Sequence, residues 1–477
     1  CPPLCSLRPP SLNGKAMNAS IKTIDVKSDN KIKNRVFIDS QFYLNPFRKH
    51  PMIQLIRGFR DVLPDEATLW QHIEKTAVTL FEDFGYREIR IPIMERTELF
   101  SRSIGEDTDI VEKEMYTFAD RGGELITLRP EATASIVRSY IQHQMAGTDP
   151  MRKFYLIGPM FRRERPQKGR YRQFYQIDAE IFGVASPYAD VELIYLLMTF
   201  LDRLSVTDVT AHVNSLGCPV CRPDFKAALL SFLSDRTDRL CGDCNRRREK
   251  NPLRTIDCKV PGCREALTDA PSILDYLCDA CRDHFQVVTR RLTELGVPFE
   301  VDKRLVRGLD YYTRTAFEIL TGSLGAQSAV AGGGRYDGLV KSLDGPDQPA
   351  IGFAVGFDRL AEIVAQARQE ISPAFSVYFC PLGEQGKRIA FETHCVLAKS
   401  GIRSEMDMGD RGLKGQLKRA NRIGAGYVVI LGDSEIEKGI AILRDMTSKV
   451  QEEVDLAELA SIIQLKVQGL KTGSPKG

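Results

Sequence analysis

The chain has 477 residues, 43% of them hydrophobic, and carries 66 Lys and Arg against 63 Asp and Glu, a formal net charge of +3. That length exceeds one ordinary core, so roughly two to four domains are expected, and the near balance of charge excludes an overall basic field, leaving any nucleic-acid contact to local patches. No run approaches the roughly 18 apolar residues of a membrane span and no charged-then-apolar leader opens the chain, so a cytosolic (cytoplasmic) setting without membrane attachment is expected.

Residues 1–51 carry Pro with Lys, Arg, Asn and Ser and lack sustained periodicity; they read as a disordered or non-native extension. From Pro64 to Phe84, Leu69, Trp70, Ile73, Ala77, Leu80, Phe81 and Phe84 recur at the spacing of an amphipathic helix stopped by Gly85. Ile89, Ile91 and Ile93 then alternate as a strand, and Pro92 within it predicts an edge position. Asp120 to Gly123 is a turn, and Thr127-Leu128-Arg129-Pro130-Glu131-Ala132-Thr133 leads from a strand into a helix. Glu131 and Thr133 suit an ammonium group and a hydroxyl, and Glu131 equally suits a helix N-terminus.

Residues 152–183 read as a hairpin with a charged loop. Strand alternation puts Phe174, Gln176, Asp178 and Glu180 on one face and Tyr175, Ile177, Ala179 and Ile181 on the other. The second face is core material. The first, an aromatic platform with an amide and two carboxylates, suits a small polar ligand carrying positive charge. The loop between the strands holds Arg163, Arg165, Lys168, Arg170 and Arg172 against the single acid Glu164, a composition that attracts phosphate.

Residues 217–288 differ in composition, with eight of the twelve cysteines and the run Arg246-Arg247-Arg248, and look inserted. In a chain this long, Cys-x-x-Cys units point to metal rather than disulfides. Cys218-x-x-Cys221 and Cys241-x-x-Cys244 are separated by 19 residues (222 to 240), within the spacing of zinc ribbons, and Cys258, Cys263, Cys278 and Cys281 supply a second set of four. The expected metal is structural Zn²⁺, with knuckles exchangeable between sets; an iron–sulfur cluster and ordinary buried thiols are the other readings of the same residues.

Further on, Leu305-Val306-Arg307-Gly308-Leu309-Asp310-Tyr311-Tyr312 places an arginine beside a glycine that would let its guanidinium approach closely, with two tyrosines able to wall a ring-sized pocket. Ala331-Gly332-Gly333-Gly334-Arg335-Tyr336-Asp337 is glycine-dense yet neither a Walker loop nor a dinucleotide fingerprint. Ala350 to Leu360 reads as a buried strand entering a helix, with Arg359 at the junction facing a phosphate. From Ser376, strands at Val377–Cys380, Ile402–Met406 and Tyr427–Leu431 alternate with helices at about 386–399 and 411–423, predicting a small parallel α/β domain with a basic stripe of Lys414, Lys418, Arg419 and Arg422. The Gly/Ser/Lys tail from Gly469 is expected to be disordered.

The stretch Phe161-Arg162-Arg163-Glu164 with its basic loop and second strand resembles motif 2 of the class II aminoacyl-tRNA synthetases, and the helix–strand–proline pattern near 64–93 resembles motif 1. Arg307 to Tyr312 and the 331–339 segment resemble the two signatures of the histidyl-tRNA synthetase family, and 350–360 resembles motif 3. The resemblance spans roughly residues 53 to 467. It implies an α+β catalytic core, an antiparallel sheet with helices, over 52–373; a helical Cys-rich insertion at 217–288; an α/β anticodon-binding domain at 374–468; and a tail at 469–477. It implies activation of L-histidine by ATP with Mg²⁺ and transfer to tRNA(His), in a homodimer built on motif 1. In the implied roles, Arg162 binds the α-phosphate, Glu164 and Phe174 hold adenine, and Arg359 binds the γ-phosphate. Glu131, Thr133, Gln176, Glu180, Tyr311 and Tyr312 bind histidine, while Arg307 does so and stabilises charge at the α-phosphate. Gln167 and Arg170 of the loop, with Lys414 and Lys418, contact tRNA. Asp358 stands where the family more often has glutamate. Any metal in the insertion would support it near tRNA rather than touch ATP. A non-catalytic histidine-sensing paralogue of the same fold is the alternative, and it would lose the cations and the anticodon domain that this chain retains.

Overall fold

The computed structural model describes residues 53–472 apart from 106, 107, 109, 148, 167, 168, 323–328 and 368–375. The expectations for residues 1–51 and for Gln167 and Lys168 lie outside them.

Helix α1 (Pro64–Asp83) forms as its spacing dictates, with Pro in the first turn and Trp70, Ile73, Ala77, Leu80 and Phe81 buried. The expected strand over Ile89 to Ile93 does not form. Only two short strands flank it, β1 (Arg87–Glu88) and β2 (Met94–Arg96), belonging to different sheets. The reason is local: Pro92 has no amide to donate, and the carbonyls of Ile91 and Pro92 accept from the Arg129 guanidinium at 3.0 and 3.3 Å instead of from a neighbouring strand. After α2 (Thr97–Ile104), β2 completes a small antiparallel sheet of order β2-β4-β3 with β3 (Tyr116–Ala119) and β4 (Leu125–Leu128). Asp120 closes the β3–β4 turn by accepting from the amides of Gly122 and Glu124. Helix α3 (Thr133–Gln142) follows.

The predicted hairpin is β5 (Arg152–Phe161) and β6 (Gln173–Phe182), continued by α4 (Pro187–Arg203) and β7 (Val209–Ser215). The cysteine-rich segment then contributes α5 (Arg222–Ser234), α6 (Gly242–Lys250), α7 (Pro261–Ala266) and α8 (Asp279–Glu294). The chain returns through β8 (Phe299–Val301), β9 (Thr313–Thr321), β10 (Ala329–Arg335), α9 (Leu339–Ser342), β11 (Ala350–Gly356) and α10 (Phe357–Ala367). The main sheet has the order β1-β5-β6-β11-β10-β9-β7-β8. Its pairs are antiparallel except at the two edges, where β1 runs parallel to β5 and β8 to β7. One face packs on α1, α4 and α10, and Ile177, Ala179 and Ile181 of β6 lie in that core as their alternation predicts. Helix α8 runs unbroken past residue 288, with Val288 and Leu292 in the same core, so it ties the inserted segment to the main sheet rather than ending it.

The C-terminal region has a separate core. It contains β12 (Val377–Pro381), α11 (Gly383–Lys399), β13 (Ser404–Met406), α12 (Leu413–Arg422) and β14 (Tyr427–Leu431), the predicted alternation. The sheet is nevertheless mixed. After α13 (Asp433–Glu437), β15 (Ile440–Asp445) and β16 (Gln451–Asp455) add an antiparallel hairpin at one side, giving the order β13-β12-β14-β15-β16. Strand β16 escapes the sequence reading because Gln451, Glu452 and Glu453 are exposed; charge on an edge strand discourages further pairing and hides its apolar signal. Helix α14 (Leu459–Thr472) runs through Gly469, correcting the expected start of the tail: Leu459, Ile463 and Val467 bury one face, which outweighs the roughly 1 kcal/mol a helical glycine costs. Among the described residues, no helix is long and apolar enough to cross a membrane.

Candidate active site

The second face of the main sheet is a floor of small residues laid out by register. Asp178 of β6 stands opposite Ala354 of β11, which stands opposite Gly332 of β10, itself opposite Glu318 of β9. One step along, Glu180, Gly352, Gly334 and Ala316 make a parallel row. Directly paired residues share a face, so Asp178 and Glu318 at the ends of the first row, and Glu180 at one end of the second, look across a floor that has almost no side chains. The glycines are required by what lies on them. A Cβ on Gly352 would sit 1.5 Å from Oε2 of Glu180, and one on Gly332 would sit 2.4 to 2.6 Å from the guanidinium of Arg307. The glycine that admits Arg307 is therefore Gly332, across the site, and not its neighbour Gly308, where a Cβ would meet nothing within 4 Å.

Above the Glu180 row the roof is the start of α3 and the loop 305–312. Thr133 Oγ1 donates to Glu180 Oε1 at 2.7 Å, and Tyr336 donates its hydroxyl to Oε2. The rings of Tyr311 and Tyr312 lie 4.7 Å apart, with Tyr336 5.6 Å from Tyr311, so three tyrosines wall the same space. Glu131 caps α3, each carboxylate oxygen accepting one amide at 2.9 Å, from Thr133 and Ala134. The helix-N-terminus reading of Glu131 is therefore the one its contacts show.

These acids are buried without matching cations. Burial pushes Glu180 up to about 8, against the opposing hydrogen bonds from Tyr336 and Thr133. Asp178 is held well above the usual carboxylate range by burial first, then by Glu180 and Glu131, with Arg129 and Arg162 only partly offsetting this. Burial likewise raises Glu131 despite its helix amides. Among the described residues, Gln176 Oε1, Asp178 Oδ2 and Arg307 Nε are buried with no hydrogen-bond partner. A pocket with surplus carboxylate and orphaned polar atoms beside a wall of tilted and edge-on tyrosine rings favours a cationic, hydrogen-bonding ligand of ring size.

The phosphate side adjoins it. A cavity of roughly 310 Å³ is lined by Arg162, Glu164, Arg170, Phe174, Gln176, Arg307, Glu318 and Arg359. Arg162 donates to the Pro130 carbonyl at 2.9 Å and lies 5.2 Å from the Phe174 ring. Arg307 pairs with Glu318 at 3.1 Å. Arg359, at the β11–α10 junction, donates to the Ala329 carbonyl, and desolvation lowers its pKa. Four guanidinium groups thus line one space, those of Arg162, Arg307 and Arg359 coming from three separate parts of the chain and that of Arg170 from the charged loop.

Several features of the site carry no signal in the sequence reading. Asp358 offers its oxygens to Arg60, at 3.1 and 2.8 Å, and to the Tyr175 amide at 2.9 Å, so it fixes α10 to the hairpin and is not free for a metal. Arg60 itself reaches Glu66 at 2.6 Å and lies against Tyr171. Arg172 of the basic loop is an anchor, its guanidinium on the carbonyls of Glu164 and Arg57. Arg163 and Arg165 stay exposed, and Arg170 pairs with Glu164 at 3.2 Å. Arg335, fully buried, ties β10 to Asp190 of α4 and to Asp337. In the C-terminal region Lys414 and Lys418 are exposed on α12, but Arg419 is paired with Glu405 and leaves the predicted stripe.

Comparison with known proteins decides the family. The histidyl-tRNA synthetase profile matches residues 58–360, and an anticodon-binding-domain profile matches 376–466. The chain belongs to the histidyl-tRNA synthetase family. The histidine–tRNA ligase of Desulfatibacillum aliphaticivorans is 62% identical over 405 residues, 85% of this chain and 97% of that protein. That of Desulforapulum autotrophicum is 61% identical over 84% of this chain and 94% of the relative. The crystal structure of apo histidyl-tRNA synthetase from S. aureus superposes with a TM-score of 0.74 at 34% identity, covering 87% of this chain and all (100%) of that one. The fold is accordingly that of a class II synthetase, with the mixed C-terminal α/β sheet as its anticodon-binding domain.

In this member of the histidyl-tRNA synthetase family the eight cysteines form two sets, paired differently from the sequence order. Cys218, Cys221, Cys278 and Cys281 group at one place and Cys241, Cys244, Cys258 and Cys263 at another, ligand atoms in each set lying within 4.8 Å of one another. The first two knuckles lie apart: α5, 13 residues and roughly 20 Å of helix, follows the first and carries the chain away from it. Sulfur separations of 3.6 Å (Cys218–Cys221), 3.9 Å (Cys218–Cys278) and 4.0 Å (Cys241–Cys258) match the roughly 3.8 Å edge of a tetrahedron with 2.3 Å metal–sulfur bonds. Amides of Cys278 and Cys241 point at Cys221 and Cys263 Sγ at 3.2 and 3.0 Å. The Cys244 amide leads in lowering Cys241 to about 7; at Cys218 burial is outweighed by the Cys221 and Val220 amides, which with nearby thiols bring it to about 7. The donor set, four thiols within one coordination sphere, fits a single ion per site.

Proposed function

We infer that the protein activates L-histidine with ATP to histidyl-adenylate and pyrophosphate and then transfers histidine to the 3′ end of tRNA(His). The observation that carries the substrate assignment is the buried trio Glu131, Asp178 and Glu180, short of positive charge and walled by tyrosines, opening beside three arginines. Histidine brings the missing ammonium and a ring for Tyr311 and Tyr312, with Gln176, Thr133 and Glu180 supplying hydrogen bonds. Its carboxylate then faces the phosphate side. As it attacks the α-phosphorus, charge grows on the phosphoryl oxygens, and Arg162 and Arg307 stand ready for it without reorganisation. Arg359 takes the γ-phosphate, and Glu164 with Phe174 the adenine. Mg²⁺ accompanying ATP adds positive charge at the same phosphates, and Glu318, lining the cavity, is the carboxylate that would hold it. No side-chain nucleophile is needed; the chemistry is positioning and electrostatics.

The catalytic domain is assigned to 52–373, interrupted at 217–288, and the anticodon-binding domain to 374–468, with α14 continuing beyond it. Lys414 and Lys418 are the exposed candidates for tRNA on that domain, and Arg170 for the acceptor end. Homodimerisation through the motif 1 region is supported by apolar side chains left exposed around the small sheet, Ile93, Met94, Phe118 and Leu125. The two thiol sets are assigned to structural Zn²⁺, and the protein to the cytoplasm. Charging of tRNA(His) transcript with radiolabelled histidine tests the overall reaction; protein that forms adenylate but leaves the tRNA uncharged contradicts the second step.

A further inference from the structure

The cysteine-rich segment reaches the amino-acid site, not only the region assigned to tRNA. Between Cys244 and Cys258, Asn251 donates to Asp310 Oδ1 at 2.9 Å, while Arg254 reaches the same oxygen at 3.2 and 3.0 Å and the Gly308 carbonyl at 2.6 Å. Arg222, directly after Cys221, donates to the carbonyls of Leu216, at 3.1 Å, and of Tyr312. The loop that carries Arg307, Tyr311 and Tyr312 is thus gripped from three residues: Arg222 next to Cys221, Arg254 four positions before Cys258, and Asn251 midway between Cys244 and Cys258. The loop has no secondary structure of its own to hold it.

The grip is only as firm as the segment behind it. Its core has fourteen buried members, five of them cysteines, so thiols take the place that aliphatic side chains fill elsewhere. Beyond Cys281, His284 of α8 meets buried Asp190 at 3.0 Å, and Asp190 also holds Arg335, so the Cys218/Cys221/Cys278/Cys281 set is moored to the main sheet. The Cys241/Cys244/Cys258/Cys263 set is the one whose intervening turn carries Asn251 and Arg254, and so the one that bears on the loop through them.

We propose that the metal at Cys241, Cys244, Cys258 and Cys263 sets the position of the 307–312 loop, making the segment a metal-dependent clamp on the histidine pocket, with Asn251, Arg254 and Arg222 as positioning residues. The inference rests on the histidine and zinc assignments above. An ion that joins two stretches of a thin core fixes the turn between them; without it, Arg254 loses its bearing on Asp310, and the tyrosine wall and Arg307 lose theirs.

Three proteins test this: the wild type, Arg254→Ala, and Cys258→Ser/Cys263→Ser. Each is analysed for zinc per chain, for L-histidine affinity by calorimetry, and for KM of histidine and of ATP in pyrophosphate exchange. Arg254→Ala should keep both ions yet weaken histidine roughly tenfold, the worth of one charge-assisted hydrogen bond, with KM for ATP little changed. The double cysteine variant should lose one ion and show the same histidine-selective defect. Wild-type histidine affinity in Arg254→Ala overturns the clamp. So does a cysteine variant that loses an ion and binds histidine normally. Metal-free wild-type protein that takes up no added zinc overturns the metal's part separately, and histidine that binds none of the three proteins, while ATP binds, overturns the substrate reading instead.

Discussion

On the main sheet, register sets the floor of the site: Glu180 stands over Gly352, and Gly332 leaves the space on which Arg307 of the 305–312 loop rests. In the cysteine-rich segment, short helices enclose a core rich in thiols, and its two sets of four cysteines have the geometry to hold an ion each, as proposed above. The two regions meet at the 305–312 loop. On the proposed metal assignment, the difference teaches that precision at one site comes from backbone geometry on one side and from coordination chemistry on the other, so the two should fail under different perturbations.

The sharpest way to break the first region is to remove the charge it positions. Arg307→Ala should fold and yet lower the adenylation rate by about 10² to 10³, the usual worth of a guanidinium aimed at developing charge, with a smaller effect on histidine binding. Pre-steady-state adenylate formation measures both. Moving the charge instead of removing it comes next. Gly332→Ala puts a methyl group where the guanidinium lies, and a displacement of this order costs about 10 to 10² in rate while Arg307 remains present. Wild-type turnover in that variant would mean Arg307 acts from elsewhere.

Stripping metal perturbs the second region. Purified protein should contain two zinc ions per chain, and chelation should open residues 217–288 to protease while the main sheet stays resistant. Equal protection with and without metal would return the cysteines to the role of ordinary core thiols.

The smallest expected effect is on pH dependence. Glu180 is raised to about 8 from an ordinary 4.5, so the folded protein binds a proton the unfolded chain has released. Its contribution to stability is full below about 4.5 and is lost as pH rises through about 8. The melting temperature of the ligand-free protein should therefore fall across that window less steeply in Glu180→Gln than in the wild type. Histidine, by favouring the carboxylate, should bind with proton release near neutral pH, visible as a buffer-dependent binding enthalpy.

The sequence made some of this legible and not the rest, for identifiable reasons. Strand alternation separated Gln176, Asp178 and Glu180 from Ile177, Ala179 and Ile181, because a period of two survives in any half-buried strand. It could not say that Gly332, 25 residues from Arg307, is the surface on which that side chain rests, since register between distant strands is not local information. Cysteine spacing pointed to eight thiols but suggested the wrong partners, because α5 sets which knuckles can meet. Asp358 stood out only as an aspartate where the family more often has glutamate; its bond to Arg60, 298 positions away, shows its task. The strand expected at Ile89 to Ile93 was lost to a side chain, Arg129, taking carbonyls that another strand would have used. Charge on β16 and a lone glycine in α14 each masked an element whose burial is decided by packing.

The central claim is that the acid-rich, tyrosine-walled pocket selects histidine for attack on the ATP α-phosphorus. Exchange of labelled pyrophosphate into ATP, run with the purified protein and each of the standard amino acids in turn, tests it directly. Exchange should depend on L-histidine and collapse in Arg307→Ala. Exchange driven by another amino acid, or none with histidine in protein that binds ATP, would contradict it.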